Sequence, residues 1–171
     1  RLLRFDPNGN LSVVTSGLPA TYGGPAERYP IGVSAAVYMD TFFYYVVGEF
    51  RGGRYSTIYR LGESAVPDPL AGGVGRDGFP STRLVNPYDI VAVPNGGLFV
   101  SDSGSNAVLR ISKNGNISEY ATFPQREVAT PDGDRVIDGV PTGVTLGPDG
   151  ALFLSSFAGY PYPKGAAYIY R

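Results

Sequence analysis

Apolar and polar residues alternate along this chain in short runs, and turn-forming residues separate the runs. The clearest stretch is 86–123. Tyr88-Asp89-Ile90-Val91-Ala92-Val93 reads as an apolar strand, Pro94-Asn95-Gly96-Gly97 as a turn, and Leu98 to Asp102 as a second strand. Ser103-Gly104-Ser105-Asn106 is a polar loop, 107–112 a third strand and 117–123 a fourth. Between the last two stands Lys113-Asn114-Gly115-Asn116, whose Asn-Gly pair suits a type I′ hairpin turn with positive φ at both central residues. Four short antiparallel strands in succession predict one blade of a β-propeller. A stack of independent hairpins is the simpler alternative.

Two gapless internal matches favour the propeller. Arg4-Phe5-Asp6-Pro7-Asn8-Gly9-Asn10-Leu11-Ser12 repeats as Arg110-Ile111-Ser112-Lys113-Asn114-Gly115-Asn116-Ile117-Ser118, 106 residues on. Pro94-Asn95-Gly96-Gly97-Leu98-Phe99-Val100-Ser101 repeats as Pro148-Asp149-Gly150-Ala151-Leu152-Phe153-Leu154-Ser155, 54 residues on. An apolar-x-Arg strand end recurs at Arg4, Arg60, Arg110 and Arg171, at spacings of 56, 50 and 61. Repeats of this length are the mark of solenoids and propellers. The predicted units are 1–16, the end of one blade; 31–85, a second blade with a long loop; 86–123, a third; and 141–171, the start of a fourth. In the second blade, strands fall at 33–39, 42–47 and 56–61, with a turn at Asp40-Thr41. Residues 62–85 and 124–139 read as long connections where one blade hands over to the next, a place for function or a solvated insertion. The fold class is therefore all-β, a propeller of four-stranded antiparallel blades.

Composition agrees. Apolar residues make up 43% and charged residues 17%, enough apolar surface for a core. The 24 Gly and 15 Pro suit a turn-rich chain, and 13 Tyr and 9 Phe favour strands. Net charge is −1 with no basic run, which supports no nucleic-acid partner. No run is long and apolar enough for a membrane span. His and Cys are both absent, so catalytic triads, thiolate nucleophiles and His or Cys metal sites are excluded. Propellers close with about four to eight blades, and only about three blade-equivalents are present here. The chain begins at Arg1 without a signal peptide, so the expectation is a processed product or a piece of something longer. The expected partners are the remaining blades of a longer chain, or copies of this one, with a small molecule or a protein at the loop face.

One part of the sequence carries a family resemblance. The block Gly143 to Ser155, the loop Gly159-Tyr160-Pro161-Tyr162-Pro163-Lys164-Gly165-Ala166-Ala167, and Asn86-Pro87-Tyr88-Asp89 leading to Asp102-Ser103-Gly104-Ser105-Asn106 resemble the ScyD/ScyE family of the scytonemin sunscreen operon. That family is similar to NHL and gluconolactonase-like six-bladed propellers. The resemblance spans 86–171 closely and 1–61 more loosely. It implies a six-bladed ring, a secreted or periplasmic protein about twice this length, and this chain as an internal segment.

The candidate sites follow from blade geometry. Asn86 and Asp89 begin an innermost strand and so face the channel, where gluconolactonase-like enzymes hold a divalent metal. Calcium is the cofactor to consider there, in a lactonase-like hydrolase, because oxygen ligands suit it; yet one Asn and one Asp are few for about six to eight ligand oxygens. A structural carboxylate bonded to backbone N–H groups is the other reading of Asp89. Asp102, with Ser103 and Asn106, reads as a turn cap. Pro131-Asp132-Gly133-Asp134 with Asp138 reads as a solvated acidic loop, since it lacks EF-hand spacing. Tyr160 and Tyr162, stiffened by Pro161 and Pro163, form either a ligand-stacking loop or a packing surface. Asn10 and Asn116 each head an N-x-[ST] glycosylation motif at the same repeat position, although turn chemistry alone explains both asparagines. The leading function is a non-enzymatic scaffold that binds a partner or small ligand. The competing ones are the hydrolase and a structural subunit of an extracellular assembly.

Overall fold

Turn chemistry decides how the strands meet. Four turns share one pattern. Gly9 N–H bonds Asp6 C=O at 2.9 Å while Asp6 N–H bonds Asn10 C=O at 3.0 Å. The same pair of bonds closes Val93–Gly97, Ser112–Asn116 and Gly147–Ala151. The glycine of each has positive φ: 83° at Gly9, 112° at Gly96, 80° at Gly115 and 78° at Gly150. This is a type I turn followed by a left-handed glycine that forms a bulge. Pro7, Pro94 and Pro148 occupy the first central position, where their fixed φ fits. The turn at Lys113–Asn116 is thus not the type I′ turn expected for Asn-Gly. Three loop residues are spent rather than two, so Asn114 keeps a negative φ. The true two-residue turn with both φ positive is Asp40-Thr41, at 51° and 67°, between the paired Met39 and Phe42.

The structure, a computed structural model, describes residues 1–18, 21–23, 29–48, 56–62, 66–72, 84–94 and 96–171. Among these every regular element is a strand. Strands β1 (Leu2–Phe5) and β2 (Leu11–Thr15) pair as a two-stranded sheet, called the first blade below. A hairpin of β3 (Thr21–Gly23) and β4 (Tyr29–Ile31) follows. The second blade is β5 (Val33–Met39), β6 (Phe42–Val47), β7 (Thr57–Leu61) and β8 (Pro67–Gly72). The third is β9 (Pro87–Ala92), β10 (Leu98–Asp102), β11 (Ala107–Ile111) and β12 (Ile117–Thr122). After a hairpin of β13 (Arg126–Val128) and β14 (Arg135–Ile137) comes a three-stranded blade of β15 (Gly139–Leu146), β16 (Leu152–Ala158) and β17 (Tyr168–Tyr170). All pairings are antiparallel and follow chain order, as in a propeller blade.

Two expected loops contain structure. Residues 62–85 were expected to form a connection, yet Pro67–Gly72 is the fourth strand of the second blade. Its Pro67 and Pro69 pair with Leu61 and Tyr59 at the outer edge of the sheet, where a missing N–H on the solvent side costs nothing. Residues 73–83, which complete that connection, lie outside the described residues. In 124–139 the β13–β14 hairpin pairs Arg126 with Ile137 and Val128 with Arg135.

The blades stack face to face. Along β6, Tyr44 and Val46 join Ile58 and Ala71 against Ile90, Leu98, Val100, Leu109 and Ile111 of the next blade. Tyr45 and Val47 turn the other way, with Leu61, onto Leu2 and Val14 of the first blade. Along β10, Leu98 and Val100 face the second blade and Phe99 faces Val144, Leu152 and Leu154 of the last. Both strands read as nearly continuous apolar runs because both of their faces are covered. The innermost strand β9 lies between β5 and β15. The architecture is therefore a partial β-propeller.

Close stacking makes one turn glycine irreplaceable. A Cβ on Gly115 would stand 2.0 Å from the Leu70 carbonyl oxygen of the preceding blade, whereas a Cβ on Gly9 would meet nothing within 4 Å. Gly9→Ala should cost about 1 kcal/mol, the left-handed φ alone, and Gly115→Ala about 3 kcal/mol, because a clash between blades is added. Urea denaturation measures both. Equal costs would mean that the turn does not pack on the neighbouring blade.

Tyr45 generates a second prediction. Its side chain is fully buried and stacks on Tyr59 at 5.2 Å, and among the described residues its hydroxyl has no hydrogen-bond partner. Burial, and then the nearby Tyr59, push its pKa up to about 12 from 10.0. The folded protein therefore holds this proton while the unfolded chain releases it. Stability present below pH 10 is lost progressively as pH rises from 10 through about 12. Tyr45→Phe should raise stability by about 1 kcal/mol at neutral pH, since it removes an unpaired buried hydroxyl. It should also blunt the alkaline loss. Chemical denaturation at neutral and alkaline pH reads both effects, and a destabilised Phe variant would mean that the hydroxyl has a partner.

Candidate functional site

Asn86 and Asp89 do stand at the start of an innermost strand, but the chemistry there is directed at backbone. The Asp89 carboxylate accepts from its neighbour Ile90 N–H at 2.8 Å through Oδ1 and from Val144 N–H of the next blade at 2.9 Å through Oδ2. A bulge in β15 makes this reach possible. The β15–β16 register shifts between Pro141 and Val144, and the groups freed there are read by the third blade. Ser101 Oγ donates to Thr142 C=O, and Ser103 Oγ donates to Pro141 C=O at 2.5 Å. On the other side Ser56 Oγ donates to Val85 C=O at 2.5 Å and Ser34 Oγ to Pro87 C=O at 3.4 Å. Five side chains thus tie consecutive blades at their channel ends.

Asp102 is fully buried and is held entirely by amides. Oδ2 accepts from Val85 N–H at 2.7 Å; Oδ1 accepts from Asn86 at 2.8 Å, Gly104 at 3.0 Å and Ser105 at 3.2 Å. This carboxylate pins the incoming chain at Val85-Asn86 to the Ser103–Asn106 loop. Asn86 C=O in turn accepts from Ser103 N–H at 2.9 Å. The turn-cap reading of Asp102 extends further than its own loop, because half of its donors come from the strand entry.

The two serines at this end escaped the candidate residues, although the repeat signals them. Asp89 N–H donates to Ser101 Oγ at 3.1 Å, and Gly143 N–H donates to Ser155 Oγ at 2.9 Å. Each pair is displaced by the same 54 residues that relate the gapless repeats. The repeat thus keeps a serine whose hydroxyl satisfies an N–H of the inner strand. At the carboxylate position, the last blade has Gly143 in place of Asp89.

These residues do not fit a calcium ion. Asp89 spends both oxygens on backbone N–H groups, and one Asn beside it falls short of the about six to eight oxygens calcium takes. Among the described residues no group of three or more Asp, Glu, His or Cys side chains gathers to hold an ion.

The other candidate pair, Tyr160 and Tyr162, lies on the loop between β16 and β17. Tyr162 N–H bonds Gly159 C=O at 2.9 Å, and Gly159 N–H bonds Asp138 C=O at 2.9 Å, so the loop is anchored to the end of the β13–β14 hairpin. Ile137, Ala158 and Ala166 form a small core beneath it, with Val128 packed alongside. The Arg126 guanidinium lies 3.9 Å from the Tyr168 ring centroid and donates to Ala166 C=O. Above this base the two rings meet edge-on, 5.9 Å apart at 86°. They wall a cleft of about 590 Å³ that also touches Asp138, Phe157 and Ala167. Asp138 Oδ1 accepts from Gln125 Nε2 at 3.0 Å. The acidic loop therefore supplies its last carboxylate, Asp138, to this cleft, while Asp132 and Asp134 are exposed.

Neither a protein-family model nor a curated protein matches the chain. Among solved structures it is similar to virginiamycin B lyase from Staphylococcus aureus, at 14% identity and a TM-score of 0.27, over 82% of this chain and 70% of that one.

Asn10 and Asn116 are both exposed, at the same place in two equivalent turns. Asn10 Nδ2 donates to Asp6 Oδ2 at 2.8 Å, and this bond, with the Asn10 and Asn8 backbone N–H groups, lowers the Asp6 pKa.

The amide cage around Asp102 yields a prediction. Asp102→Asn replaces an acceptor oxygen with an N–H₂ group facing N–H donors and should destabilise the chain by about 3 kcal/mol. Asp132→Asn, on the exposed loop, should change stability by less than about 0.5 kcal/mol. Thermal melting of the two variants compares them, and a neutral Asp102→Asn would remove the cage from the account.

Proposed function

We propose that this chain is part of a non-enzymatic β-propeller scaffold of the ScyD/ScyE type, secreted or periplasmic, that binds a partner or a small ligand on the face carrying its hand-over loops. The observation that carries this reading is the use made of the channel-end polar groups. Asp89, Ser101, Ser103 and Asp102 direct their hydrogen bonds to backbone of the adjoining segments, which supports a framework role over a hydrolytic one. The Tyr160 and Tyr162 loop is the ligand surface in this reading; Asn10 and Asn116 would accept glycans only in a eukaryotic secretory pathway, and in a bacterium they serve turn chemistry alone.

The proposal includes further blades on both sides, from the same longer chain in preference to copies of this one. Its support is the apolar surface left bare at each end of the stack. Leu3, Phe5, Leu11 and Val13 are exposed on the first blade, and Phe157 and Ile169 on the last. Exposed apolar patches of this kind mark interfaces.

Two measurements test this reading. The intact mass of the polypeptide as its own cell makes it should exceed 18.1 kDa, and a native product of 18.1 kDa would overturn the longer chain. Thermal melting with millimolar calcium should leave Tm unchanged. A calcium-dependent rise in Tm would restore the metal-dependent hydrolase and sink the scaffold.

A further inference from the structure

We propose that the cleft between Tyr160, Tyr162 and Asp138 binds the ring of a neutral carbohydrate. The inference rests on the scaffold reading above and gives its loop face a ligand class. Four observations lead to it. First, Tyr160 and Tyr162 are 80% and 72% exposed, among the most exposed large side chains of the chain. Leaving two tyrosines in water serves no core. Second, they are held ready. Pro161 and Pro163 flank Tyr162, the Tyr162–Gly159 bond closes the turn, and the Gly159–Asp138 bond ties it to the neighbouring hairpin. A surface ordered before binding loses little entropy when a ligand arrives. Third, the cleft of about 590 Å³ is the size of a small-ligand site, apolar apart from a few polar groups. Fourth, Asp138 Oδ1 is engaged by Gln125, which leaves Oδ2 for a ligand donor.

The ligand class follows from the shape and charge of the walls. Among the described residues no Lys or Arg lines the cleft, and its charged lining group is the negative Asp138, which disfavours a phosphate or carboxylate ligand. The two tyrosine rings stand nearly perpendicular, at 86°. A flat aromatic ligand could stack on one ring and meet the other edge-on, but it would bring no hydroxyl rim to Asp138. A pyranose presents an apolar C–H face to one ring and a rim of hydroxyls to the other, and those hydroxyls can donate to Asp138 and exchange hydrogen bonds with the tyrosine O–H groups. Phe157 and Ala167 supply an apolar floor without a competing polar group.

The test uses the intact protein as its own cell makes it, with methyl glycosides of glucose, galactose and mannose as probes, read by saturation-transfer NMR. Magnetisation should pass to the C–H protons of at least one glycoside. Tyr160→Ala and Tyr162→Ala should each weaken that binding by about tenfold, the size expected for removing an aromatic anchor. Asp138→Asn should weaken it less, because the amide keeps one acceptor. Unchanged melting temperatures confirm that the exposed substitutions leave the fold alone. Three results overturn the proposal: no transfer from any glycoside, transfer that survives both tyrosine substitutions, or displacement of the glycoside by p-cresol at equal concentration, which would point to an aromatic ligand. Failure here leaves the intact-mass and calcium results untouched, so loss of the carbohydrate site and loss of the scaffold are separable.

Discussion

Every other feature of this structure depends on one requirement: each blade must have both faces covered. A β-sheet with a single apolar face can stop at water, but β6 and β10 are apolar on both. Tyr45, Val46, Val47 and Val100 have no exposed surface at all. Sheets of this kind are stable only in a stack, and twist turns a stack into a radial array. The distance between blades is then set by side-chain size, and little space remains for main chain at the margins. That is why the Ser112–Asn116 turn runs onto the carbonyl of Leu70 with only Gly115 able to fit. It also explains why the polar groups near the axis are spent on amides. Where packing excludes water, N–H and C=O groups in the inner strands and in the segments leading into them need partners. Ser101, Ser155, Asp89 and Asp102 supply them.

How much of this could be read from residues alone depended on whether the cause was local. Strand positions in the third blade were legible because alternation and turn residues are both local signals. The bounds Leu98–Asp102 were predicted outright, and those of β9, β11 and β12 to within a residue. The Asn-Gly turn was placed correctly but assigned the wrong type. Asn114-Gly115 suits type I′, and only the pairing of Ser112 with Asn116 shows that three loop residues are used. The fourth strand of the second blade was hidden by Pro67 and Pro69, whose tolerance there depends on its being the outer edge. The β15 bulge left no sequence signature at all, because it is defined by register against β16.

The candidate residues divide along the same line. For Asp89 the identity of the residue suggested either a ligand or a structural carboxylate. Its partner Val144 is 55 positions away, so no local pattern could decide between them. The offset of the repeats did hold a usable signal. Ser101 and Ser155, and the Asp89 and Gly143 positions whose N–H groups they accept, are each 54 residues apart. Tyr160 and Tyr162 are legible as a stiff aromatic loop, but the approach of Asp138 is not, because it depends on the Gly159–Asp138 backbone bond between separate segments.

The same covering requirement links the two parts of the proposed function. Phe157 belongs at once to the bare face of the last blade and to the lining of the tyrosine cleft. A further blade seated on that face would cover Phe157 from one side and leave Tyr160 and Tyr162, which project from the loop, at its rim. The cleft would then become a pocket between blades, with one wall from this chain and one from the next. Its depth and selectivity would be set jointly, while the two aromatic anchors and Asp138 would remain this chain's contribution. Completing the ring and deepening the proposed ligand site would in that sense be one structural event, since Phe157 belongs to both surfaces.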